Sequence, residues 1–134
     1  MKDKLRQSVT QWKQKAEADW KTVTILLESQ DAPKDVICFH CQQYVEKLIK
    51  AVLTACEIEF PKTHDLRRLL QLAVTYEPSL RQFLDQIDDL TIHSVQSRYP
   101  DVVMILNDEY IKQTVELAET IGGHLAVVLY RIGL

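Results

Sequence analysis

The segment from Pro33 to Glu57 has more apolar residues than a single packing partner would cover. On a helix, one stripe carries Ile37, Cys41, Tyr44, Leu48, Val52 and Ala55, and the opposite stripe carries Gln43, Lys47, Lys50, Thr54 and Glu57. Phe39, Ile49 and Leu53 widen the apolar arc well past the roughly 100° that a surface helix needs to meet a core. We therefore expect this helix to lie at the centre of the fold and to pack on more than one side.

A first helix is predicted before it, from about Asp3 to Glu28. Its apolar side carries Leu5, Val9, Trp12, Ala16, Val23 and Leu26, with Trp20 and Leu27 beside them. Asp19 falls inside this stripe, where a buried carboxylate needs a cation or a backbone donor. We expect Asp19 to bridge to a lysine or an arginine rather than to take part in chemistry.

The chain after the central helix predicts one short helix and two long ones. The short helix is capped by Thr63 or Asp65 and buries Leu66, Leu69, Leu70, Ala73 and Val74. A fourth helix is predicted after Glu77-Pro78, with Ser79 and Gln82 as a capping box, and it ends at Pro100. Its inward-facing residues are Leu80, Phe83, Leu84, Ile87, Leu90 and Thr91.

A fifth helix begins at Asn107 or Asp108 and keeps its period to the carboxy terminus. Gly122-Gly123 within it indicates a kink or the close approach of another helix. The prediction is an all-α, up-and-down bundle of four long helices and one short helix, in a single domain of residues 1–134.

Composition and charge add three expectations. With 134 residues of which 46% are apolar, the chain is long enough to bury a core without metal or disulfide support. The formal net charge of −3 gives no general attraction to nucleic acid, so any such contact needs a local basic patch. No apolar run reaches the ~20 residues of a membrane span and no signal peptide is visible, so we expect a cytoplasmic protein with no membrane contact. We expect its three cysteines to be free thiols.

Three short motifs stand in order along the chain: QQYVEKLIKA at 42–51, FPKTHDL at 60–66 and SRYPD at 97–101. Together they resemble the HEPN family, the higher eukaryote and prokaryote nucleotide-binding domain, and the resemblance runs from about Ala16 to Ile121. It implies a helical bundle that forms a homodimer and is commonly encoded beside a small nucleotidyltransferase-like partner. Some members are RNA-cleaving toxins, and others are non-catalytic binding modules. The wide apolar arc suits such pairing, and we predict that Phe39, Ile49 and Leu53 form the dimer interface.

The ribonuclease branch of the family carries an arginine followed, after four to six residues, by a histidine. In such a pair the arginine holds the phosphate while the histidine moves the proton of the attacking 2′-hydroxyl. The candidate arginine is Arg98, but Val103, Met104 and Ile105 stand where the histidine belongs. His93 precedes Arg98 and would point about 140° away on a continuous helix. The catalytic motif is therefore missing.

Arg98, Tyr99 and Asp101 form the first candidate binding site. Arg98 would hold a phosphate of a nucleotide or RNA, Tyr99 would stack on a base or sugar, and Asp101 would orient the arginine. The alternative is structural, with Arg98 bound to the last carbonyls of the fourth helix or to Asp101.

A second candidate is the basic cluster of Lys62, His64, Arg67 and Arg68. It lies at a predicted helix start, where backbone N–H groups favour anions. In the alternative interpretation Asp65 caps the helix, His64 packs on the central helix and both arginines are solvated.

The motif Cys38-Phe39-His40-Cys41 resembles a metal or redox site in its cysteine and histidine content. A zinc site needs four ligands, and the only further candidates beyond this motif are Cys56 and His64. The βαβ context in which a redox-active cysteine pair occurs is absent from the predicted fold. We expect buried structural thiols, and we predict neither a metal nor a cofactor.

Three functional hypotheses follow. The first is a non-catalytic nucleotide- or RNA-binding homodimer that works with a nucleotidyltransferase-type partner in a toxin–antitoxin-like pair. The second is a divergent ribonuclease toxin that uses Arg98 at the dimer cleft, with an acid or histidine supplied across the dimer. The third is a structural dimerisation scaffold.

Overall fold

A computed structural model describes residues 1–94 and 106–134. Its helices are α1 (Asp3–Leu27), α2 (Lys34–Ala55), α3 (Leu66–Val74), α4 (Asp88–Thr91) and α5 (Asp108–Ile132), with 3₁₀ turns at Pro78–Phe83 and Ile92–Ser94. No strand occurs in this part of the chain. The predicted all-α bundle is confirmed.

Helix α2 lies at the centre, as predicted, and packs against α1, α3, α4 and α5. Its wide apolar arc is covered by these neighbours, so that Ile49 and Leu53 are 0% exposed within a single chain. Neither side chain has surface left for a second copy, and their assignment to a dimer interface is wrong. Phe39 is half-buried and stays a prediction.

Two of the predicted helix caps are present. The Asp65 carboxylate accepts a hydrogen bond from Arg68 N and caps α3, and Asn107 Oδ1 accepts from Tyr110 N at 2.8 Å at the start of α5. The capping box of Ser79 and Gln82 is not formed. The Ser79 hydroxyl bonds to Glu77 and His124 instead.

In the described residues before 95, the segment predicted as one long fourth helix consists of three shorter elements. A 3₁₀ turn at Pro78–Phe83 is followed by the single turn of α4 and a second 3₁₀ turn at Ile92–Ser94. Arg67 donates to the carbonyl of Leu84 at 3.1 Å, the carbonyl that a continuous helix would pair with the N–H of Asp88. The inward spacing is nevertheless kept, and the buried residues include Leu80, Phe83, Ile87 and Leu90.

Helix α5 runs without interruption through Gly122 and Gly123. A Cβ atom at residue 122 would lie 2.2 Å from Cε2 of Tyr44 on α2, whereas one at residue 123 would meet nothing within 4 Å. Of the two explanations for this glycine pair, close approach of another helix is therefore the right one.

No helix in the described ranges is both long enough and apolar enough to cross a bilayer.

Candidate functional site

The first candidate site, Arg98, Tyr99 and Asp101, lies outside the described residues. The structure does describe the residues on either side, up to Ser94 and from Leu106 onward.

His93 and Tyr110 connect the two flanks. His93 Nε2 lies 2.8 Å from the Tyr110 hydroxyl, and the two rings meet edge to face with their centroids 5.6 Å apart. Burial lowers the pKa of His93, against an opposing effect of Asp89, and burial raises the pKa of Tyr110. Both groups are therefore neutral at physiological pH, and one hydrogen bond joins the imidazole to the hydroxyl. Sequence analysis considered His93 only as a catalytic substitute and missed this connection.

A cavity of about 340 Å³ opens beside this pair, between the α4 region and the first turns of α5. It is lined by Asp89, Ile92, Tyr110, Gln113, Thr114 and Leu117. Thr114 donates its hydroxyl proton to the carbonyl of Tyr110, one turn earlier. The lining combines aliphatic side chains with one carboxylate and one amide.

The basic cluster of Lys62, His64, Arg67 and Arg68 is only partly available to an anion. His64 Nδ1 donates to Glu46 on α2 at 2.8 Å. Arg67 binds the carbonyl of Leu84 and the carboxylate of Asp88 at 3.2 Å. Lys62 and Arg68 are exposed. His64 thus contacts the central helix, as the structural interpretation expects, while Arg67 is anchored by protein groups rather than solvated.

Glu46 is the centre of a buried polar cluster that sequence analysis missed. It is 3% exposed; its Oε1 accepts from Gln42 at 3.0 Å and from His64, and its Oε2 accepts from Lys50 at 3.1 Å. Sequence analysis placed Lys50 on a polar stripe, yet it is 8% exposed, and its ammonium lies 5.5 Å from the Trp12 ring. The spacing of Gln42, Glu46 and Lys50, four residues apart on an apolar helix, was the available signal.

Asp19 has the bridging role that we expected. It is buried on α1, and its two oxygens bind Lys47 and His40 of α2, the latter at 2.7 Å. Helices α1 and α2 are thus held together by an ion pair and a hydrogen bond as well as by apolar packing.

The cysteines are free thiols, as predicted. Burial raises the pKa of Cys38 to about 11 and that of Cys41 to about 12. Burial also raises the pKa of Cys56. A reactive or metal-binding thiol has a lowered pKa, so these values favour structural thiols. Within 1–94 and 106–134 no group of three histidine, cysteine or acidic residues is placed to hold a metal ion.

A last polar contact joins the turn after α3 to α5. Ser79 Oγ lies 2.8 Å from both Glu77 Oε1 and His124 Nε2. A hydroxyl has one proton and the carboxylate can only accept, so Ser79 donates to Glu77 and accepts from His124. This is the reverse of the polarity that a serine nucleophile needs, so the contact is structural.

Comparison with known proteins gives one family. The family model described as HEPN domain matches residues 9–123, most of the chain. Neither the curated proteins nor the solved structures compared with the chain give a match. The match supports a nucleotide- or RNA-related role in coarse terms. The chain belongs to the HEPN domain family.

Proposed function

We propose that this protein is a non-catalytic HEPN module that binds the phosphate of a nucleotide or RNA through Arg98. The observation that carries the proposal is the family match over 9–123 combined with Val103, Met104 and Ile105 at the positions of the catalytic histidine. The arginine that would hold a phosphate is present, and the group that would move the proton is not.

The flanks of Arg98 support this proposal. His93 and Tyr110 tie the two ends of its segment to one another and to the bundle, because His93 is buried and Tyr110 belongs to the first turn of α5. His93 is itself a poor proton carrier, since it is 4% exposed and is occupied by the tyrosine hydroxyl. We therefore favour binding over RNA cleavage.

Binding and cleavage can be separated with one variant. In chelator, wild-type protein is expected to bind a labelled mixed RNA without cleaving it, and Arg98→Ala is expected to weaken binding roughly tenfold. An arginine–phosphate hydrogen bond contributes on the order of 1.5–3 kcal/mol, and 1.4 kcal/mol is about a factor of ten in affinity. Fluorescence anisotropy measures the affinity, and gel electrophoresis over time measures cleavage.

The matched control is Arg81→Ala, which removes an exposed arginine elsewhere and should leave binding unchanged. If the wild type cleaves RNA and Arg98→Ala does not, the ribonuclease alternative replaces our proposal. If neither protein binds RNA or a nucleotide, the scaffold alternative is favoured.

We further propose that the protein acts as a homodimer through the outer face of α5. Val127 is 49% exposed and Tyr130 is 79% exposed, and with Gly123 and Ala126 they follow helical spacing on the surface. The open space over Gly123 would let a second backbone approach closely. This stripe replaces Ile49 and Leu53 as the proposed interface, with Phe39 retained.

Tyr130→Glu is expected to convert the dimer to a monomer, because it places a charge at the centre of an apolar contact. Sedimentation velocity over a concentration series measures the change. Ile25→Glu is the control, since Ile25 is 58% exposed on α1, outside the proposed interface, and should leave the dimer intact. A monomeric wild type, or a Tyr130→Glu protein that remains dimeric, contradicts the assignment.

The proposed partner is a nucleotidyltransferase-like protein in a toxin–antitoxin-like pair. It is supported by family membership, and it is tested by co-expressing the chain with a nucleotidyltransferase-like protein encoded beside it. Stoichiometric co-purification is the expected result, and independent elution of the two proteins would count against the pair.

A further inference from the structure

The cavity beside His93 and Tyr110 has a chemical character of its own. Its volume of about 340 Å³ falls within the roughly 300–1,000 Å³ of small-molecule pockets. Ile92 and Leu117 give it apolar walls, and Tyr110 adds an aromatic ring whose hydroxyl is held by His93. A flat, weakly polar ring system would rest favourably on such a lining.

The strongest polar group of the lining is an acceptor, the carboxylate of Asp89. In the described chain the Asp89 carboxylate has no hydrogen bond or ion pair to its side chain, although its charge acts on both His93 and Tyr110. Gln113 donates one amide N–H to Glu109 at 3.3 Å, which leaves its amide oxygen free to accept and its second N–H free to donate. Thr114 has already given its hydroxyl proton to the carbonyl of Tyr110. A ligand that bonds to the Asp89 carboxylate must bring its own donors.

Among the nucleobases, guanine has the edge that meets this requirement. Its N1–H and N2 amino group are adjacent donors on the Watson–Crick edge, and one carboxylate can accept from both. Adenine and cytosine place an acceptor beside their amino group, and uracil places a carbonyl on each side of its single N–H. A carboxylate therefore repels part of the edge of each of these three bases.

We propose that this cavity is a guanine-binding subsite, in which Asp89 accepts from N1–H and the N2 amino group while the base rests on Ile92, Leu117 and Tyr110. The inference rests on the proposed nucleotide- or RNA-binding function and names the base that this function prefers. Gln113 is the second acceptor at the rim. Asp89 acts as a specificity-determining residue and takes no part in catalysis.

Calorimetric titration with GMP, IMP and AMP tests the proposal directly. IMP lacks only the N2 amino group, so it is expected to bind about tenfold more weakly than GMP, since a hydrogen bond to a charged group contributes on the order of 1.5–3 kcal/mol. AMP should bind more weakly still, because it sets an acceptor against the carboxylate. Equal affinities for the three nucleotides would overturn the subsite.

Asp89→Asn provides a change of preference that a loss of folding cannot imitate. An asparagine amide can donate to the O2 carbonyl of xanthine and accept from its N1–H, so the variant should lose affinity for GMP and gain affinity for xanthosine monophosphate. Asp85→Asn is the matched control, because Asp85 is a neighbouring acid with a fully solvated side chain and should keep the wild-type preference. An Asp89→Asn protein with unchanged preference would overturn the assignment.

Short oligonucleotides separate a free nucleotide from RNA as the source of the base. Tighter binding of an oligoguanylate than of GMP points to RNA, whereas equal affinity points to the free nucleotide. If oligoguanylate and oligoadenylate bind equally well and binding still depends on Arg98, the proposed function stands and the guanine subsite is overturned. If no nucleotide and no oligonucleotide binds, both are overturned.

Discussion

Glu46→Ala is expected to lower the free energy of unfolding by about 3–5 kcal/mol, the range for breaking a buried ion pair by removing one partner. The Glu46 carboxylate accepts from Gln42, His64 and Lys50 in a site that is almost closed to water. Its loss leaves the Lys50 ammonium buried without a counter-charge, against the rings of Trp12 and Phe60. Urea denaturation followed by circular dichroism measures the change.

The cause of this destabilisation can be isolated with a second variant. Glu46→Leu combined with Lys50→Met removes both charges and keeps the volume, so the double variant should recover most of the lost stability. Glu17→Ala removes an exposed acid from α1 and should change stability by less than about 0.5 kcal/mol. A double variant as unstable as Glu46→Ala would show that packing around the side chain, and not the uncompensated lysine, is responsible.

Gly122→Ala is expected to destabilise the protein by about 1–3 kcal/mol, although alanine is the better helix former. The new methyl group would lie 2.2 Å from Cε2, 2.6 Å from Cζ and 2.7 Å from the hydroxyl oxygen of Tyr44. The Tyr44 ring stacks on Trp20 with centroids 4.6 Å apart, so it can move aside only by giving up that contact. Equilibrium unfolding in urea gives the difference in stability.

Gly123→Ala is the matched control, one residue further along the same helix. A methyl group there meets nothing within 4 Å in the same chain, so at concentrations where the protein is monomeric this variant is expected to gain up to about 1 kcal/mol from helix propensity. Tyr44→Leu should remove the penalty at residue 122, and a double-mutant cycle measures how much of it belongs to the Tyr44 contact. A Gly122→Ala protein as stable as Gly123→Ala would contradict the close packing of α2 on α5.

Several elements of the fold were predictable because they depend on local spacing. The helical spacing of apolar residues was sufficient to predict α1, α2, α3 and α5. Asp65 and Asn107 were recognisable caps because each side chain accepts from a backbone N–H three residues away. The fourth segment was predicted with the right inward face but as one long helix. A long-range contact, from Arg67 on α3 to the carbonyl of Leu84, contributes to the difference, and no local pattern reports it.

The candidate site was less predictable from the residues alone. The pairing of His93 with Tyr110 joins residues 17 positions apart, on either side of Arg98 in the sequence, yet neither residue belongs to a motif. His64 and Arg67 belong to the second candidate for phosphate binding, and their contacts with Glu46 and Asp88, which lie on two different elements, could not be predicted from the sequence. A sequence shows which charged groups need a partner, but it does not show which partner each of them contacts in the fold.

Periodicity and motif spacing are properties of the chain itself, so the residues alone were sufficient to predict the all-α class, the central position of α2, the family and the lack of a histidine at 103–105. How the wide apolar arc of α2 is covered depends on the packing of the whole bundle. It buries Ile49 and Leu53 within one chain and leaves Val127 and Tyr130 exposed on α5. The physical reason is that an apolar face requires burial but does not specify its partner, which depends on how α1, α3, α4 and α5 pack around α2.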